Sequence, residues 1–150
     1  MKDRYKHLLS KIKERKPAAD KFIEILHTQT TWLTSPASTK YHLNKEGGLL
    51  EHSIGVAETL LQLRAALAPE ISEESCVIVG LFHDIGKVGM PGKPYYLTEI
   101  KDGKPTGAYT INPEIVALGG HVDGECKGKG KGHVSRTCLF FDAKPLLIQK

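Results

Sequence analysis

The chain has 150 residues, of which 40% are hydrophobic and 25% charged. That is the size and balance of one globular domain and argues against a disordered or fibrous chain. Its formal charge of +4 does not specify a nucleic-acid binder: residues 1–16 hold seven Lys/Arg against Asp3 and Glu14, whereas residues 17–150 hold 14 basic against 15 acidic side chains. The longest apolar stretches, such as Cys76–Phe82, are too short to span a bilayer, and the charged start does not resemble a secretion signal, so a cytoplasmic protein with no membrane partner is expected. Cys76, Cys126 and Cys138 include no C-x-x-C pair and read as reduced thiols.

In chain order, Tyr5, Leu8, Leu9 and Ile12 form the stripe of an amphipathic helix that Lys16-Pro17 should end. Phe22, Ile25, Leu26 and Gln29 continue the period in a second helix, and Thr28–Thr39 reads as a helix end running into a loop. After Gly47-Gly48, the residues Leu49, His52, Val56, Leu60, Leu63 and Leu67 recur at steps of three or four, which predicts a helix over 49–67 with His52 on a core-facing stripe. Pro69 stops it, Ser72-Glu73-Glu74 starts the next, and that helix is expected to reach Ile85 with Gly86 as its C-terminal cap. The runs Tyr95–Ile100 and Thr106–Ile111 predict a small hairpin turning at Asp102-Gly103. Asn112-Pro113 then starts a short helix through Leu118.

Chemistry concentrates at Phe82-His83-Asp84-Ile85-Gly86-Lys87, where an imidazole and a carboxylate end an apolar helix. Enclosing such a pair without a counter-charge or a metal ion is costly. His52 sits within an apolar stripe of its own, so two core-facing histidines and a carboxylate make a candidate N,N,O metal site. That donor set suits Mn, Fe, Ni or Zn better than Mg. Lys87, just past the expected helix end, reads as a complement to the helix dipole. His42 is a substrate-side candidate in a loop, beside the plainer reading of a surface histidine. Tyr95, Tyr96 and Tyr109 read as cross-strand packing rather than base-stacking side chains.

The segments Gly47-Gly48-Leu49-Leu50-Glu51-His52-Ser53 and Leu81-Phe82-His83-Asp84-Ile85-Gly86-Lys87 resemble the HD-domain metal-dependent phosphohydrolase superfamily. Ser35–His42, Tyr109-Thr110 and Gly119-Gly120-His121-Val122 are similar to a bacterial branch that includes the HD domain of a 3′–5′ exoribonuclease. The resemblance implies an all-α HD-like helical bundle with a small β-hairpin insertion. It implies one domain over 1–150, made of N-terminal helices 1–34, a core 35–122 and an atypical tail 123–150. It further implies one or two divalent ions held by His52, His83 and Asp84, with Asp84 also orienting water or accepting its proton. Lys87 and His121 would contact phosphate, and His121 would alternatively bind a second ion. The family closes its metal shell with a later Asp, for which Asp142 is the candidate and Asp123 the alternative.

The expected activity is hydrolysis of a phosphomonoester or phosphodiester, a nucleotide or oligonucleotide, by a chain that can self-associate. Two other readings stand beside it. One is a catalytically weakened HD-fold module that binds a nucleotide or a partner. The other is a zinc loop for nucleic acid built from His121, Cys126, His133 and Cys138 among Lys127, Lys129 and Lys131.

Overall fold

The computed structural model describes residues 1–117. They form α1 (Lys2–Leu9), α2 (Lys16–Gln29), α3 (Gly48–Leu67), α4 (Glu73–Phe82), a 3-10 turn (Ile85–Val88), strands β1 (Tyr96–Lys101) and β2 (Lys104–Ile111), and α5 (Pro113–Ala117). This is a helical fold with a small antiparallel hairpin, as expected. His121, Asp123, Asp142 and the Cys126, His133, Cys138 set lie outside the described residues.

The core is built from four segments. Tyr5, Leu8 and Ile12 from the first segment and Phe22 and Leu26 from α2 close over Leu49, Leu50, Ile54 and Ala57 of α3 and Val77 and Leu81 of α4, with Trp32 fully enclosed. Trp32 Nε1 donates to Tyr5 Oη at 3.1 Å, which directs the phenolic proton toward His27 Nε2 at 3.2 Å. Burial pushes the Tyr5 hydroxyl up to about 12, so it remains a donor at all ordinary pH. A second cluster under the hairpin joins Tyr95, Tyr96 and Ile115. Tyr95 and Tyr96 meet edge to face at 4.8 Å, with Tyr109 against Tyr96 at 6.5 Å, so these rings pack rather than wait for a base.

Four local expectations change. The first helix stops at Leu9, well before Lys16-Pro17; Ser10 Oγ donates to the His7 carbonyl there, and Pro17 serves the first turn of α2, where a missing N–H costs nothing. The expected stripe of α3 is rotated: its buried residues are Gly48, Leu49, Leu50, Ser53, Ile54 and Ala57, while Leu63 and Leu67 are exposed and His52 sits at the rim. The helix before the His-Asp pair ends at Phe82 rather than Ile85, and Gly86 lies within the 3-10 turn, the positive φ of 81° falling instead at Gly89. The hairpin strands shift by up to two residues, and Thr106–Ala108 bulge opposite Glu99 in the register between Thr98 and Ile100.

The hairpin turn forms as read, and the last helix starts as read and reaches Ala117, Leu118 lying outside the described residues. Asp102 and Gly103 take φ of 51° and 74°, the left-handed pair that a two-residue turn between twisted strands needs. Asn112 Oδ1 accepts from Glu114 N at 3.0 Å at the start of α5.

Tertiary contacts supply what local sequence does not. The α2 segment has no acid in its first turn, and Glu74 of α4 fills that role from elsewhere in the chain. Its carboxylate accepts from the backbone N–H of Lys13, Glu14 and Arg15 at 2.9, 2.8 and 2.9 Å. Burial pushes the Glu74 carboxyl up, but these three N–H groups and Arg15 outweigh it and hold the carboxyl below its ordinary 4.5. A depressed carboxyl stabilises the fold above the unfolded pKa and loses that contribution as pH falls through the folded one. Glu74→Gln should therefore lower Tm at neutral pH, with the gap from wild type closing on acidification below about 4; a gap constant with pH in thermal melts would refute this.

Ser53 is fully buried with no hydrogen-bond partner for its hydroxyl. Ser53→Ala should be neutral or raise stability by up to about 1 kcal/mol, read as Tm by calorimetry.

Candidate metal centre

The centre sits where α3 passes the end of α4. Gly48 opens α3 directly beneath the Leu43 carbonyl: a Cβ there would lie 2.0 Å from that oxygen, so only glycine lets the 35–47 loop lie this close. Leu43 itself takes φ of 53°. The loop is thereby pinned on α3, and the His42 ring stands 5.9 Å from the His52 ring, nearly perpendicular to it.

The second half is brought in by close helix packing. A Cβ on Gly80 would lie 2.4 Å from Ala57 Cα, so α4 crosses α3 nearly backbone to backbone at this pair. The Gly80 carbonyl also accepts a hydrogen bond from His83 Nδ1 at 2.8 Å. This bond fixes the ring and, in the neutral form, puts the lone pair on Nε2. Gly80 is the positioning residue that the sequence reading passed over; its signal is a glycine three residues before a histidine in an otherwise apolar helix.

His52 Nε2 and His83 Nε2 are 3.2 Å apart, and each is 3.6 Å from Asp84 Oδ2. The point equidistant from these three atoms lies about 2.0 Å from each, within the usual range for imidazole and carboxylate bonds to a transition metal. The side chains are partly exposed at 28%, 32% and 26% for His52, His83 and Asp84, so the expected core-facing histidines instead stand at the rim of the core. The physical reason is the Gly80–Ala57 crossing: it draws the small-residue face of α3 inward and leaves His52 at the edge. A rim position leaves room for water and substrate, which an enclosed one would not.

The electrostatics favour ligands over a simple ion pair. Burial, reinforced by the charges of His83, Lys87 and His42 and opposed by Asp84, holds His52 below its ordinary 6.5, so its ring is neutral at pH 7. Burial pushes the Asp84 carboxyl up, but a 2.7 Å hydrogen bond and the charge of Lys87, with the two histidines, take it below its ordinary value. Asp84 is thus an ionised acceptor beside the neutral His52 imidazole. Lys87 is the least exposed of the group at 16%, and its ammonium engages Asp84 rather than a helix end.

Together, two nitrogen donors and one oxygen donor, all within 4.8 Å of one another, can hold a metal ion. No fourth side chain of the His, Cys, Asp or Glu type joins the group among the described residues. Three protein ligands with open positions are the pattern of a working rather than a purely structural site.

No curated protein and no solved structure matches the chain. The HD domain family model matches residues 49–115, a stretch that begins in the first turn of α3, contains His52, His83 and Asp84, and ends in α5. This match supports assigning that stretch to the HD-domain superfamily.

Proposed function

We propose that the chain is a metal-dependent phosphohydrolase acting on a phosphomonoester or phosphodiester of the nucleotide or oligonucleotide class. The observation that carries the reading is the triangle of His52 Nε2, His83 Nε2 and Asp84 Oδ2 around a common point, within a stretch that matches the HD domain. The donor set favours Mn, Fe, Ni or Zn over Mg. When bound, such an ion supplies Lewis acidity toward a phosphoryl oxygen and acidifies water.

The chain's own residues do the rest. His83, anchored on the Gly80 carbonyl, and His52, held neutral, present their Nε2 atoms. Asp84, kept ionised by Lys87, is both the oxygen donor and a proton acceptor within reach of water at the centre. Lys87 brings a positive charge to the side of the site where a phosphate would lie. His42 lines the approach beside His52.

The test is metal analysis of the purified full chain followed by hydrolysis assays on chromogenic phosphoesters, nucleotides and short RNA with added Mn, Ni or Mg. His83→Ala combined with Asp84→Ala should remove bound metal and cut turnover by at least about 100-fold, since even partners outside the ligand set cost 10–100-fold. Turnover that survives the double substitution overturns the reading.

A further inference from the structure

An open groove of about 500 Å³ starts at the metal centre and runs along α3. His52, Gly55, Val56, Thr59 and Leu60 line it, and their spacing of three and four residues places them on one helix face in line with the metal-facing imidazole. The volume falls within the range of small-molecule sites.

The groove's charges are cancelled where they stand. Arg4 donates from Nε and Nη2 to the two Glu58 carboxylate oxygens at 2.9 and 2.5 Å. Glu51 is engaged by Lys45 at 2.8 Å. Thr59 donates its hydroxyl proton to the Gly55 carbonyl at 2.9 Å, so it offers no donor to a ligand. Between these groups the floor is Gly55, Val56 and Leu60. A Cβ built on Gly55 meets nothing within 4 Å, so the floor there is bare backbone facing open space. Such a surface accepts the flat face of a ring, and among the described residues the Arg4 and Glu51 side chains that line it are each already paired, so it offers little to an additional anion.

We propose that this groove is the leaving-group subsite, taking the uncharged flat ring of a nucleoside or aryl phosphoester whose phosphate sits at the metal centre, and selecting against leaving groups that carry further phosphates. The proposal deepens the phosphohydrolase reading and rests on it for the placement of the phosphate. Gly55 is its specificity-determining residue.

Binding separates the two claims. The full chain, freed of metal, is titrated with adenosine, 2-naphthol and adenosine triphosphate and followed by NMR. Saturable binding of adenosine, 2-naphthol or both supports the subsite and distinguishes nucleoside from aryl recognition. Gly55→Phe should weaken that binding at least about tenfold while its Tm stays at or above the wild-type value, because phenylalanine is a better helix former than glycine and its Cβ meets open space. Leu60→Asp, a second and chemically different block, should weaken it likewise, and both variants should keep their metal content.

Adenosine triphosphate binding about tenfold tighter than adenosine would overturn the proposal, as would unchanged ring affinity in Gly55→Phe or no ring binding at all. Ring binding without turnover on any phosphoester sinks the hydrolase reading and leaves the groove. Turnover with ring affinity indifferent to Gly55→Phe does the reverse.

Discussion

Gly80→Ala should lower the stability of the fold by about 3 kcal/mol, about 10 °C in Tm, and weaken metal binding about tenfold. The added methyl would sit 2.4 Å from Ala57 Cα and 2.8 Å from Ala57 N and Cβ. Backbone atoms cannot rotate away, so α4 must lift from α3. Better helix propensity offsets up to about 1 kcal/mol of this. Because the His83 ring hangs on the Gly80 carbonyl, the same displacement separates His83 Nε2 from His52 Nε2 and opens the triangle. A contrasting glycine on α3 serves as control: Gly55→Ala meets open space and should raise Tm by about 3 °C. Combining Gly80→Ala with Ala57→Gly should recover only part of the loss, since the Cα and N contacts remain. Thermal melts of the four proteins decide it; a Gly80→Ala Tm at or above wild type would show that the crossing is looser than drawn.

That crossing also explains which parts of the molecule were legible in the sequence. Features set by a few neighbouring residues read correctly: the Asp102-Gly103 turn, the Asn112 cap and the burial of Tyr5, Leu8 and Ile12, although the helix expected to carry all three stops at Leu9. The buried face of α3 did not, because periodicity weights large apolar side chains and points to Leu60, Leu63 and Leu67. The face actually chosen is the one that lets two backbones approach, and the pair that permits it, Ala57 of α3 and Gly80 of α4, are residues a hydrophobicity pattern counts least. Glu74 is a sharper case. It reads as an acid in the first turn of its own helix, yet its carboxylate serves three N–H groups about sixty positions earlier, a relation that no window of local sequence contains. At the centre itself, residue identity was readable and environment was not. His52, His83 and Asp84 could be nominated because imidazoles and a carboxylate are out of place in apolar helices. Their rim position, the Gly80 anchor and the Lys87 clamp on Asp84 depend on packing.

Added Mn at about 100 times its Kd should stabilise the wild-type chain by about 2.7 kcal/mol, about 8 °C in Tm, and His83→Ala or His52→Ala should abolish that shift. The argument begins with the metal-free protein. His83 Nδ1 donates to the Gly80 carbonyl, and with that ring in its neutral form Nε2 accepts, so that the 3.2 Å contact takes its proton from His52 Nε2. His52 and His83 through Nε2 and Asp84 through Oδ2 would hold an ion in exchange for that single hydrogen bond, with the His52 proton on its other ring nitrogen. A half-exposed hydrogen bond contributes about 1 kcal/mol. Either substitution should therefore cost the metal-free chain no more than about that, while removing a ligand the ion cannot do without. Chelator should return wild type to its metal-free Tm and leave the variants where they were. A full Mn shift surviving in His83→Ala would place the ion elsewhere on the chain and dissolve the link between this triangle and any hydrolysis the protein performs.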